Sequence, residues 1–475
     1  MIDHSIDPDN ASIDHEDIEE LDFHEDRGFV SDVVAATKAG DADKVYELLE
    51  PLHAADFANF LEVLSSSRRK ALIALIGDKL DPELLADILA EVGGPAQDEL
   101  YELLPNEKLA DAVTDMETDD AVYVLEELAE GDRTEVLAAL SADSRVAIEE
   151  SLRYPEDSAA RLMQRELVAL PSYWTVGQTI DLLRSDDDDL PEIFYDVFVV
   201  DPSHKPIGWV PLSRLMRSQR TVAIKDIMET EQHLINVTSD QEDVAYQFSK
   251  YNLISAAVTD EVGRLVGMIT VDDVVDVIED EAEEDILALA GVIEEDIGDS
   301  VVEVTKNRFT WLFVNLLTAV LASFVIGIFD TTIENLVALA ILMPIVASMG
   351  GNAGTQTMTV TVRAIATKEL SSTNAWRMVW REFFAAFLNG SMLAVISGTI
   401  AWYWFDNQIL ALVFAAAMIF NIALAGLSGI LIPLGLDKMD VDPAIASSVF
   451  VTTITDVVGF FAFLGLAATV LPIMV

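Results

Sequence analysis

The chain contains no cysteine, which excludes disulfides and thiolate metal sites. Positive charge is scarce: 28 Lys+Arg stand against 82 Asp+Glu in 475 residues, a formal net charge of −54. The six histidines are scattered. No nucleophile–base pair, histidine cluster or Gly-rich phosphate loop appears, so an enzyme is not expected. The N-terminus, with Asp3, Asp7, Asp9, Asp14 and Glu16, lacks the basic and apolar regions of a signal peptide. Residues 1–27 read as a disordered acidic tail.

The acid is unevenly placed. After Ser300 there are 10 acidic and 7 basic residues, leaving 72 and 21 before it, so the first 300 residues carry about −51. Such a surface repels nucleic acid and attracts cations. An acidic surface is also general among proteins of a high-salt cytoplasm, so a cation-sensing argument must rest on positions.

Residues 28–160 read as a superhelix of short amphipathic helices. "DADKVYELLEPL", "DFANFLEVL", "SRRKALIALI", "DPELLADILAEV", "DDAVYVLEELAE" and "DRTEVLAALS" place apolar residues at helical spacing. Pro82 follows Asp81 as N1 follows an N-cap. Helices this short bury their faces only by stacking on neighbours. Strands then alternate with helices, and the pattern repeats. Residues 199–216, "VVDPSHKPIGWVPLSRLM", align with 258–275, "VTDEVGRLVGMITVDDVV", at a constant offset of 59. Asp201 thereby matches Asp260, and Gly208 matches Gly267. Next comes an acidic connecting helix, residues 279–307.

The remainder, residues 308–475, is apolar. Five stretches, about 309–329, 333–366, 383–404, 409–434 and 444–474, each reach the roughly 20 residues needed to cross a bilayer. All seven basic residues fall on one side if the N-terminus is cytoplasmic and the C-terminus outside: Lys306 and Arg308, then Arg363, Lys368, Arg377 and Arg381, then Lys438. A plasma-membrane protein is expected. Its fold is multidomain: all-α superhelix, α/β repeat, then an all-α membrane domain.

Deep in these spans stands one carboxylate, Asp456, with Thr452 one turn earlier. It lies 12 residues past Ala444, roughly 18 Å along a helix. A mid-membrane charge costs roughly 2.5–3.5 kcal/mol even on the lenient insertion scale, so it usually lines an ion or substrate path. The second span contains "PIVASMGGNAGTQTMT", where Pro344 and Gly350, Gly351 and Gly354 allow a broken helix. Asn352, Thr355 and Gln356 supply oxygen ligands. The competing reading is a glycine-rich packing face. Asp442–Pro443 reads as a helix cap.

The 59-residue repeat resembles a tandem CBS pair, residues 161–222 and 223–278. In the second copy, "GMITVDD" sets Thr270 and Asp273 where a ribose-binding Thr and Asp would sit. In the first, Pro211 and Arg214 occupy those places, which argues against a nucleotide there. The order of domains, with "GGNAGTQ" and "DPA…TTITDVVG", resembles the MgtE family of magnesium channels. That resemblance implies a homodimer in the lipid bilayer with ten spans and a pore on its two-fold axis built from second and fifth helices. It implies Asp456, Thr452, Asn352, Gly351, Gly354 and Gln356 along the ion path. It also implies cytoplasmic regulatory Mg²⁺ ligands at Asp119, Asp240, Glu242, Asp273, Asp276, Glu281, Glu284 and Asp285, and an adenine nucleotide such as ATP at the CBS pair. Four positions depart from the family pattern: Thr355, Ser448 and Val449, and Asn252 in place of a carboxylate. Two other functions remain open on the sequence: a proton- or sodium-coupled divalent-cation transporter, and a nucleotide-sensing membrane receptor. No nucleic-acid partner is expected.

Overall fold

Short polar punctuation, mostly Asp, Ser and Pro, divides the first third of the chain into ten helices, α1 to α10, between Arg27 and Ser151. The computed structural model describes residues 27–185, 190–191, 193–292, 301–370, 373–439 and 441–474. The acidic tail, except for Arg27, and residues 293–300 of the connecting segment lie outside them. The chain divides into two units, the first ending at Val275 and the second starting at Asp276.

In the first unit, Asp81 accepts from the Leu84 amide at 3.0 Å with Pro82 at N1, as its sequence implies. Phe57, Phe60, Leu85, Ile88 and Leu109 form one core through the helical stack. The scarce cations close its joints. Arg69 donates to the Leu61 carbonyl at 2.9 Å and to Glu99 at 2.6 Å. Lys108 donates to the Gly77 and Leu80 carbonyls at 2.8 and 2.7 Å. A cation at a helix C-terminus satisfies carbonyls that have no intrahelical partner. Four helices are added to the six read from pattern: Arg27–Ala39, Gly94–Leu103, Asn106–Asp115 and Ala142–Ser151. The last buries few side chains, Ile148 among them, too few for a clear stripe.

The 59-residue offset survives in three dimensions. Strand β1 (Ala169–Pro171) pairs parallel with β2 (Asp196–Val200), which pairs antiparallel with β3 (Pro206–Pro211). Likewise β4 (Ile235–Asn236) pairs with β5 (Ser255–Thr259), and β5 with β6 (Leu265–Thr270). Val199 faces Gly208 and Val258 faces Gly267. Both glycines are needed for close approach: a Cβ would lie 2.6 Å from the Glu229 carbonyl at Gly208 and 2.8 Å from that of Gln164 at Gly267. The two copies also bond at equivalent positions, Ser255 donating to Asp196 at 2.6 Å. Helix α11 (Val176–Leu182) and α12 (Leu212–Arg217) belong to the first copy, and α13 (Gln241–Tyr251) to the second. Asn252 ends α13 in the left-handed conformation, φ 53°. An amide side chain tolerates that conformation well, a structural reason for Asn there.

Helix α14 (Val271–Ala290) runs from the first unit into the second. The second unit continues with α15 (Val301–Gly327), the short α16 (Asp330–Asn335), α17 (Ala338–Ala366), α18 (Ala375–Phe405), α19 (Gln408–Asp437) and α20 (Pro443–Met474). Five of these, all but α14 and α16, are long and apolar enough to cross a membrane. The expected second stretch splits, residues 330–335 forming α16 by themselves. The third helix begins at Ala375, earlier than the apolar run suggests, because Trp376, Arg377, Trp380 and Arg381 continue it ahead of that run. Leu339, Leu342, Val346, Phe414, Met418 and Phe463 make the bundle core. Gly398 lets α18 approach α19, where a Cβ would meet that of Ala415 at 3.2 Å.

Candidate ion pathway and acidic cluster

The fifth long helix starts as its sequence implies. Asp442 accepts from the Ala444 amide at 2.8 Å and Pro443 is the first helical residue. Three to four turns later, α20 turns Val451, Thr455, Gly459 and Phe463 into the bundle, while Thr452 is exposed and Asp456 half-buried. Asp456 thus sits at the edge of the buried face, open toward the side that the chain's own helices leave uncovered. Its side chain makes no hydrogen bond or ion pair among the described residues. Thr452 donates to the Ser448 carbonyl at 2.9 Å, which leaves its oxygen able to accept or ligate. Val449 is buried in packing.

On α17, Asn352, Thr355 and Gln356 are exposed along one face and Gly351 is half-buried. Gly354 differs from them. It is buried, a Cβ there would collide with Val451, and its carbonyl lies 2.6 Å from where a Cβ on Gly429 would sit. The helix is also unbroken from Ala338 to Ala366 despite Pro344. Proline falls in its second turn, and the glycines serve close packing instead of unwinding, which corrects the broken-helix expectation. The sequence reading missed the residue that organises this packing. Asn421, fully buried on α19, donates to the Val346 carbonyl at 2.9 Å. Its amide fills the space that side chains at Gly350 and Gly459 would need. A lone amide in an apolar span was the available signal.

In the first unit a second set of acids converges. Asp119, near the start of α8 (Thr118–Glu127), is buried. One of its oxygens accepts from the Asp120 amide at 3.0 Å; the other has no hydrogen-bond partner among the described residues. Burial, Asp273, Asp120 and Glu117 all raise its pKa. Asp273 accepts from the Thr270 hydroxyl at 2.6 Å. Burial pushes its pKa up to about 7 against the Thr270 bond, with Asp272 and Asp120 adding to the rise. Glu117 is likewise raised to about 7, by burial and then by Asp120, Glu166, Asp273 and Asp272. Glu117, Asp120 and Glu166 were missed in the sequence; neighbouring "METDDAV" residues hinted at the first two, and nothing marked Glu166.

In the second unit, Asp285 of α14 is raised to about 6 by burial, then by Asp442 and Glu281. Glu281 and Asp285 are half-buried, whereas Asp276 and Glu284 are exposed. Asp240 is also exposed and caps α13 through the Glu242 amide at 2.9 Å; Glu242 stands in that helix's first turn. The structure thus brings Asp119 to Asp273, and Asp285 to Glu281 and Asp442. No three of the described His, Asp or Glu residues already form a ligand cage. The orphaned Asp119 oxygen among carboxylates nevertheless suits a hard cation, which takes oxygen ligands. In the first CBS copy, Arg214 donates to the Ile227 carbonyl at 3.1 Å and pairs with Glu229, so it is already engaged.

The comparisons agree with this architecture. Residues 343–466 match MgtE, a divalent cation transporter family, 52–157 the MgtE intracellular N domain, and 224–280 a CBS domain. The magnesium transporter MgtE of Thermus thermophilus is 30% identical over 453 residues, 92% of this chain and 97% of that one. The chain belongs to the MgtE family. The magnesium transporter MgtE of Bacillus subtilis is 28% identical over 431 residues, 90% of this chain and 94% of its own. A solved cytosolic domain of the Mg²⁺ channel MgtE in complex with ATP is 28% identical, with a TM-score of 0.48, over 52% of this chain and 99% of that one. Membership makes this an MgtE-family membrane protein, with the helical N domain and CBS pair its sequence implied.

Proposed function

We propose that the chain forms a homodimeric Mg²⁺-selective channel for uptake, gated by cytoplasmic Mg²⁺, with the N-terminus cytoplasmic and the C-terminus outside. The observation that carries this reading is Asp456, a half-buried carboxylate at the edge of the α20 packing face with no side-chain partner among the described residues. Magnesium is named because the family's relatives are magnesium transporters. Two copies facing across a two-fold axis would oppose their Asp456 carboxylates and Thr452 hydroxyls, with Asn352, Gly351 and Gln356 of α17 beside them. Paired carboxylates hold a hydrated Mg²⁺ through its water shell, because the ion gives up water reluctantly. Gly354 supports this wall from behind.

For the gate, repulsion within Asp119, Asp273 and their neighbours, and between Asp285, Glu281 and Asp442, loosens both ends of α14 when divalent ions are low. Bound there, Mg²⁺ supplies positive charge that cancels the repulsion. It acts only through a higher affinity for the closed arrangement. Asp276, Glu284, Asp240 and Glu242 add outer carboxylates. Thr270 and Asp273 also carry the alternative of an adenine nucleotide, but its phosphates would meet the same acids.

The test is Mg²⁺ uptake into proteoliposomes. Asp456→Asn is expected to reduce flux at least about a hundredfold, the size seen when one charge-stabilising group is lost, while the dimer still assembles. Unchanged uptake refutes the proposal. Voltage clamp separates the remaining transport mechanism: a potential-driven, unsaturating current marks a channel, and a saturable flux tied to a proton or sodium gradient marks a coupled transporter.

A further inference from the structure

Among the described residues, one cavity gathers three arginines in a strongly acidic chain. It lies where α17 ends and α18 begins, is half open to the surroundings with a volume of about 350 Å³, and is lined by Arg363, Arg377 and Arg381 together with Glu369. Its remaining wall is largely apolar, including Val360, Leu370 and Met378. A cavity of roughly 300–1,000 Å³ is the size of a small-molecule site. Arg363 reaches Glu369 only at 3.7 Å. Arg381 pairs with Glu382 at 2.9 Å. Arg377 has no ion-pair or side-chain hydrogen-bond partner among the described residues. Three cations against Glu369 leave the lining net positive in a chain whose formal charge is −54.

A bias of arginine toward one side of a membrane accounts for three arginines near these helix ends. It does not account for their convergence on one cavity with an apolar wall. The depth is marked by Trp376 and Trp380, both exposed on the first turns of α18, with Trp380 stacked on Phe384. Such rings settle at headgroup level. Guanidinium groups match phosphate oxygens with two parallel donors. A free anion would have to approach a strongly acidic molecule, whereas a lipid phosphate is held at that depth by its own chains.

We propose that Arg363, Arg377 and Arg381 bind the phosphodiester head group of an anionic phospholipid at the junction of α17 and α18, with the apolar wall taking the first part of its glycerol and acyl region. This does not depend on which ion the protein carries.

The experiment uses the delipidated full chain in detergent, titrated with phosphatidylglycerol, phosphatidylcholine or inorganic phosphate. Native mass spectrometry and thermal unfolding are the readouts. Phosphatidylglycerol is expected to bind saturably and raise Tm, and the other two are not. Replacing all three arginines by glutamine is expected to weaken binding roughly fivefold per residue, on the order of a hundredfold in total. Because that variant also alters a topology signal, Leu370→Trp provides a second arm that fills the cavity and retains every charge; it too should abolish saturable binding. Equal phosphatidylglycerol binding by parent and both variants overturns the proposal. An equal response to inorganic phosphate overturns the lipid assignment in favour of a soluble-anion site.

Discussion

Asp119 and Asp456 are both carboxylates in protein-rich surroundings, yet their neighbours set them apart. Asp456 has no other acid beside it among the described residues, and in the proposed dimer a second copy brings one to it. Asp119 already faces acids, and burial among them raises its pKa. Asp273 and Glu117 have folded pKa values of about 7, above their ordinary values of 3.8 and 4.5. For an acid raised by folding, the native state binds more protons than the unfolded chain between those limits. Stability is therefore greatest below the unfolded pKa and falls as pH rises through the folded value. Without divalent ions, the full chain should lose Tm between about pH 4 and 7 from these groups. Added Mg²⁺ should restore little near pH 5 and most above pH 7, since it replaces protons that have left. Asp273→Asn should stabilise the metal-free protein at neutral pH by on the order of 1–3 kcal/mol and flatten the profile. A Mg²⁺ effect independent of pH in parent protein would show that this cluster is not where the ion acts.

Helices α17, α19 and α20 meet at Asn421, and the joint explains why two glycines lie in otherwise apolar spans. An added methyl at Gly350 would strike the Asn421 amide, and one at Gly459 would sit 2.6 Å from its oxygen. Gly→Ala within a helix normally gains about 1 kcal/mol, so a loss would identify the contact. Overpacking here should cost about 1–3 kcal/mol and displace the exposed face of α17. Gly350→Ala should lower the unfolding temperature and the Mg²⁺ flux. Asn421→Ala in the same chain should recover part of both, because residues in contact are not additive. Additive losses, read by thermal unfolding in detergent, would remove Asn421 from its positioning role. The glycine-rich motif was plain in the sequence, but whether it unwinds the helix or packs it was not. The outcome depended on Asn421, a side chain 71 residues along the chain from Gly350.

Across the whole molecule, the charge of −54 makes a census of acids useless for locating a sensor. High salt screens exposed carboxylates but affects a dehydrated, bridged site much less. At the salt concentration the protein prefers, replacing Asp273, Glu281, Glu284 and Asp285 together by their amides should give a channel that conducts at Mg²⁺ levels that silence the parent. Closure at an unchanged Mg²⁺ concentration, measured in patches or proteoliposomes, would reduce the cluster to surface charge. Features that depend on local period and composition were legible in the order of the amino acids. The five membrane helices follow from run length, the Asp81 and Asp442 caps from neighbouring residues, and the two α/β copies from a 59-residue offset that reappears strand for strand. Family membership followed from the same local motifs. Tertiary structure alone decided which acids are buried together, because Glu166 reaches the Asp119 cluster through a chain reversal that no periodicity records. It also decided that Gly354 faces packing while Asn352 faces outward, two positions on one helix distinguished only by which neighbours cover them.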